Sequence, residues 1–124
     1  MTPPPPLPAR WERHLERNLV HVIDVVYPGG VDEAAQPVNG KRLEQQPCLI
    51  EHARSRQPTD GSLDVVPRYT VTLRHDLAVD NQVLLANGRT RHGEMLLPTG
   101  RIVNVEPQTN QDYIVADICT VIRN

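Results

Sequence analysis

Turn-forming residues interrupt this chain about every ten residues, and the stretches between them are rich in Val, Ile and Thr. Runs of that length are too short for a helical core and suit strands. Val20–Tyr27 (VHVIDVVY) is β-branched and stops at Pro28-Gly29-Gly30. Val31–Gln46 is polar and reads as a loop, with Asn39-Gly40 offering a small hairpin. Cys48–Ala53 is a second short strand, followed by a polar turn region over Arg54–Ser62. Val65–Leu73 (VVPRYTVTL) alternates cleanly, with Val65, Tyr69, Val71 and Leu73 on one face and Arg68, Thr70 and Thr72 on the other. Pro67 places the start of that strand on an edge or at a bulge. Gln82–Ala86 is a fourth strand, and Asn87–Glu94 (NGRTRHGE) a protruding loop. Met95–Leu97, Pro98-Thr99-Gly100 and Arg101–Val105 read as a hairpin, Pro107–Gln111 as a turn, and Asp112–Ile122 as the last strand. The pattern predicts an all-β fold: a small β-barrel or sandwich of about six or seven short strands, with one short N-terminal helix and long loops.

That helix is Arg10–Asn18 (RWERHLERN), where Trp11 and Leu15 share a face. It is too short to stand alone and needs a surface that takes those two side chains. The last strand supplies a reason for cover. Tyr113, Val115, Cys119 and Val121 lie on one side, and Ile114, Ala116, Ile118 and Ile122 on the other, so both faces are apolar. Trp11, Leu15, Ile114, Ile118 and Ile122 are therefore the expected packing surface for the helix or for another subunit.

With 124 residues the chain is expected to be one domain over residues 10–124, preceded by a Pro-rich extended arm over residues 1–9 (MTPPPPLPA). Such an arm favours polyproline II, either as a ligand for a proline-binding domain or as an extension lying on a neighbour or in solvent. Phe is absent and Trp occurs once, so the core must be built from Val, Leu, Ile and Ala. The net charge of −2 excludes a chain-wide electrostatic grip on nucleic acid but permits a local basic patch. No apolar run of membrane-spanning length and no signal-peptide pattern is present, which predicts a cytoplasmic protein or one carried in a particle assembled there.

Chemistry-bearing motifs are scarce. Nucleophile elbows, zincin motifs, phosphate-binding loops and dinucleotide fingerprints are all missing, and the five histidines (His14, His21, His52, His75, His92) have no ligand spacing. Neither a catalytic residue, a metal nor a cofactor is expected. Cys48 and Cys119 each sit in an apolar run and read as buried free thiols. His75-Asp76 is an adjacent pair at a strand end without a partner nucleophile. The one candidate functional patch is Arg89, Arg91 and His92 between Gly88 and Gly93. It suits DNA phosphate or an acidic protein partner, or is simply a solvated hairpin tip. No aromatic side chain interleaves it for base stacking.

The order of segments resembles the head-closure, or stopper, proteins of tailed bacteriophages. The residues that carry the resemblance are the early strand ending in a Pro-Gly turn (Val20–Gly30), the strand Pro47–Ala53, Tyr69–Leu73 running into His75–Leu85, the Leu97-Pro98-Thr99-Gly100 segment with Arg101–Val105, and the closing strand Tyr113–Val121. The resemblance covers residues 10–122. The Pro-rich arm and Asn87–Glu94 depart from it. It implies a virion structural protein of the phage neck, a homo-oligomeric ring (hexamer or dodecamer) between the portal or adaptor ring and the tail terminator or tail tube protein. Such a ring closes the DNA-filled head and offers the tail its docking surface, with Arg89, Arg91 and His92 facing packaged DNA or the lumen. Competing readings are another neck or tail component, an OB-like nucleic-acid-binding module, and an enzyme.

Overall fold

The structure, a computed structural model, describes residues 8–31, 33–35, 37–53, 68–110 and 113–123. Helix α1 spans Ala9–Asn18. Six strands follow: β1 (His21–Val31), β2 (Pro37–Ala53), β3 (Arg68–Arg74), β4 (Leu84–Thr90), β5 (Met95–Asn110) and β6 (Tyr113–Arg123). They close into an antiparallel barrel in the order β1-β2-β3-β6-β5-β4. Two three-stranded meanders, β1–β3 and β4–β6, are thus joined along β3–β6 and β1–β4, so every strand has two partners and only the overhanging parts of β2 and β5 are paired on one side. The expected small all-β barrel is the fold found, with six strands and one helix.

Closure works because β2 and β5 each serve two neighbours. The N-terminal part of β2 pairs with β1, and its end, Cys48–Ala53, pairs with β3. The first part of β5 pairs with β4 up to Arg101, and the rest pairs with β6. A circuit leaving β2 at Arg42 through Val26, Leu84, Arg101, Ile122 and Arg68 returns to β2 at Ala53. Such stagger means strongly tilted strands, which is how a few strands enclose a filled interior.

The long strands correct several turn assignments. Pro28-Gly29-Gly30 lies inside β1, and the turn to β2 is at 33–35, where Ala35 takes φ 58°. Gly40 explains why: a Cβ there would lie 2.8 Å from the Pro28 carbonyl oxygen, so β1 and β2 meet backbone to backbone. The polar stretch before Gln46 is accordingly half of β2, not a loop, and Asn39-Gly40 is not its turn. Asn87-Gly88 is a bulge within β4, and the β4–β5 turn is only 91–94. Pro98-Thr99-Gly100 and Pro107 lie inside the continuous β5. Each proline sits where β5 has a partner on one side only, so its missing N–H costs no ladder bond on the open side. The polar turn expected at Arg54–Ser62, the strand start at Val65–Pro67 and most of the Pro-rich arm lie outside the described residues.

The interior is filled by β-branched and leucine side chains; Ile23, Val25, Val71, Leu73, Leu85, Leu97 and Val121 are fully buried. The β3–β4 connection plugs one end. It carries a 3-10 turn (His75–Leu77), then Ala78 at φ 51°, and delivers Leu77, Val79 and Val83 into the core. Tyr27 on β1 donates its hydroxyl hydrogen to the Leu77 carbonyl and holds that plug down.

Helix α1 lies on the outside. Leu15 and Leu19 form a second, smaller cluster with Val115 and Ala116 of β6, with Trp11 and Leu49 packed against it. Arg74 reaches Glu12 at 3.5 Å across this contact. The second apolar face of β6 is therefore covered in part by the helix, as its pattern demands. Val115 belongs to this outer cluster, whereas Cys119 and Val121 face the barrel core.

Candidate functional site

Asp24 sits in the middle of the β-branched run of β1 and is one of two charged side chains buried among the described residues, 5% exposed. Two bulges enclose it. On β2, Ile23 pairs with Gln46 and Val25 with Leu43, so Glu44 and Gln45 together oppose Asp24. On β4, Val22 pairs with Arg89 and Asp24 with Ala86, which leaves Asn87 and Gly88 over Ile23. Gln45 and Asn87 take left-handed backbone, φ 55° and 52°. Both then bind the carboxylate: the Gln45 N–H donates to Oδ1 at 3.1 Å, and the Asn87 amide to Oδ2 at 3.1 Å. Arg42 adds a hydrogen bond to Oδ2 at 2.8 Å. Burial alone pushes the Asp24 pKa up, but these three donors and the Arg42 charge outweigh it and hold the carboxyl below its usual value. Asp24 is thus a fixed anion that braces three strands.

The expected basic loop resolves into parts with different surroundings. Arg89 is within β4 and only half-exposed; its guanidinium donates to the Asn87 carbonyl at 2.7 Å and lies 3.7 Å from Asp24 Oδ1. Arg91 is in the β4–β5 turn and donates to the Leu19 carbonyl at 3.3 Å, where α1 ends. A cation there complements the exposed carbonyls of a helix C-terminus. His92 is at the exposed apex of that turn. These residues do not form one protruding cationic loop. Arg89 ties β4 to Asp24 because β4 runs on through the Asn-Gly bulge, and Arg91 ties the following turn to the end of α1. An open depression of about 340 Å³ borders Asp24, Arg42, Asn87, Arg89 and Met95, and Met95 is 51% exposed.

The expected packing surface is partly assembled. Trp11, Leu15 and Ile118 line one groove of about 460 Å³ between α1 and the outer face of the sheet. Ile114 and Ile122 are half-buried and belong to neither apolar cluster; Ile122 lies between Arg68 and Arg101 in adjacent strands. The residues sequence reasoning missed are Leu19, Ala116 and Leu49, which complete the helix contact. Leu19 lies just past the expected helix Arg10–Asn18; its spacing four residues after Leu15 is the signal that marks it.

His75 bonds Asp117, not its neighbour Asp76: Nδ1 and Oδ1 are 3.0 Å apart, and Asp117 is 4% exposed. Asp76 instead faces Arg74. Cys48 and Cys119 are free and buried, and burial pushes both thiols up to about 12, with Asp117 adding to the effect at Cys119 and Arg89 opposing it at Cys48. Thiols of that kind are poor nucleophiles and metal ligands at neutral pH. Among the described residues, no group of three or more His, Cys, Asp or Glu side chains is placed to hold a metal. No helix among them is long and apolar enough to cross a membrane. No protein-family model matches the chain, and no curated protein or solved structure matches it significantly.

Proposed function

We propose that this chain is a virion structural protein of a tailed phage's neck, forming a ring between the portal or adaptor and the tail. The observation that carries the reading is the closed six-stranded antiparallel barrel with one N-terminal helix docked on its outside. A closed barrel in which every strand has two partners is suited to a load-bearing ring subunit, because no whole strand is left as an open edge for runaway pairing. Its function then resides in surfaces and not in chemistry. The exposed apolar side chains Val20, Met95 and Val103 lie on such surfaces. In this reading the ring retains packaged DNA and presents the tail docking face, and the exposed apex of the β4–β5 turn, with His92, faces DNA.

The test is electron microscopy of lysates from a phage lacking the gene for this chain. The expected picture is tailless heads, many emptied of DNA, beside free finished tails. Normal infectious particles would overturn the reading. Salt-dependent DNA binding by the isolated monomer would instead favour an OB-like binding module.

A further inference from the structure

A groove lies beside α1, between the helix and the outer face of the sheet. One wall is Trp11 and Leu15; the other is Leu49, Thr72 and Ile118 on the outer faces of β2, β3 and β6. Trp11 is held edge-on against His14, with ring centroids 5.8 Å apart, and the Arg10 guanidinium lies 5.8 Å from its ring. A half-buried Trp beside aliphatic side chains is the surface on which polyproline II segments dock.

We propose that the occupant is the Pro-rich arm, residues 1–7, of a second copy of this chain. The proposal gives the ring reading a specific contact, and to that extent rests on it. Three observations select this occupant. Residues 1–8 (MTPPPPLP) carry no charged side chain, which suits the apolar part of the groove at Trp11, Leu15, Leu49 and Ile118. Beside that part lie the polar Asn18, Glu51 and Gln108, of which the two amides offer donors to proline carbonyls. Their reach matches: seven residues of polyproline II extend about 22 Å at roughly 3.1 Å each, whereas Trp11 to Leu19 spans about 12 Å at 1.5 Å per helical residue. Their stiffness directs them outward. Pro8 leaves α1 with φ −57° and ψ 149°, fixed by hydrogen bonds from the Trp11 and Glu12 N–H groups to its carbonyl. Thr2 to Pro5 and Leu7 each precede a proline, which steers them away from the helical region. Such restriction disfavours a reversal at Pro8 onto the chain's own helix and favours a neighbour's groove.

The full-length protein tests this by sedimentation equilibrium, with Trp11, the chain's single Trp, as fluorescent reporter. The arm variant is Pro5→Glu with Leu7→Glu, and the groove variant is Ile118→Glu, each confirmed as folded by circular dichroism. The wild type is expected to self-associate, and each variant to do so at least ten-fold more weakly. An equimolar mixture of the two variants is expected to recover 1:1 association, because one keeps its groove and the other its arm. Variants that associate like the wild type overturn the arm contact and leave the ring reading standing. A wild type with a single-chain mass at every concentration overturns both. A shift in Trp11 emission in the arm variant, in a protein that is monomeric throughout, places the arm in its own groove and also overturns the proposal.

Discussion

At the scale of single residues, Asp24 shows how one buried charge organises a barrel of this size. Its carboxylate ties β1 to a bulge on each neighbouring strand, and both bulges depend on non-glycine residues in left-handed backbone. Removing the acceptor leaves the Gln45 N–H and the Asn87 amide without their carboxylate partner. Asp24→Ala should therefore destabilise the fold by about 2–3 kcal/mol, the usual cost of stranding buried donors of a charged acceptor. Arg42 is largely exposed, so its ion pair contributes under about 1 kcal/mol of that. The pH dependence has a definite sign. The folded pKa lies below the ordinary value of 3.8, so the contribution of Asp24 is present above that value and is lost as pH falls through the folded one. Urea midpoints of the wild type and Asp24→Asn should differ at pH 6, and the gap should narrow as pH falls below 3.8. A gap that stays constant or widens on acidification would show that the ionised form is not what the bulges bind. Asp24 was visible in the sequence as a carboxylate inside VIDVV. Its partners were not, because nothing marks Gln45 for left-handed backbone, and Asn87-Gly88 looks like a hairpin turn.

At the scale of elements, the contrast between a glycine in a turn and a glycine in a close contact decides where strands end. Sequence patterning located β1, β3 and β6 and parts of the other three strands, yet read the Gly- and Pro-bearing stretches of β2, β4 and β5 as loops or turns. Those positions are tolerated because each lies at a bulge, a close backbone approach or a one-sided stretch, and such placement is a tertiary property. Gly40 approaches the Pro28 carbonyl, and Gly100 packs against Val121 and Leu97. Gly93, by contrast, has φ +89° and open space around it, as a turn residue should. Gly40→Ala and Gly100→Ala should each cost roughly 1–3 kcal/mol through forced displacement of packed neighbours. Gly93→Asn should cost less, since Asn accepts left-handed backbone. Chemical denaturation of the three variants checks the order. A near-neutral Gly40→Ala would mean that β1 and β2 do not run paired past Pro28. The helix was more legible: Trp11 and Leu15 named its buried face, and the apolar outer side of β6 named its seat, although Ala116 and Val115, not Ile114 and Ile122, form it.

At the scale of the whole molecule, closure makes the two meanders one cooperative unit. Each contains one cysteine, Cys48 on β2 and Cys119 on β6, and both are buried with thiols raised to about 12. Neither reacts until water and reagent reach the interior. Because β3–β6 and β1–β4 seal both joints, no meander can open without breaking a seam, so exposure of one thiol requires exposure of the other. Labelling with an aromatic disulfide at pH 8 should therefore modify Cys48 and Cys119 at one common rate in the native protein. That rate should be at least about 10³-fold below that of the unfolded chain, in line with the folding equilibrium constants of small domains. Single-cysteine variants, Cys48→Ala and Cys119→Ala, assign the two rates. Faster labelling of Cys119 would show that the β4–β6 meander separates from β1–β3 as an independent unit, and the barrel would then be two docked sheets whose seams are weaker than their hairpins. A common rate that rises with denaturant as steeply as global unfolding does would instead tie the stability of the helix seat on β6 to that of the plug at Leu77. The surfaces assigned to ring contacts would then be held by the whole barrel, not by the strand that carries them.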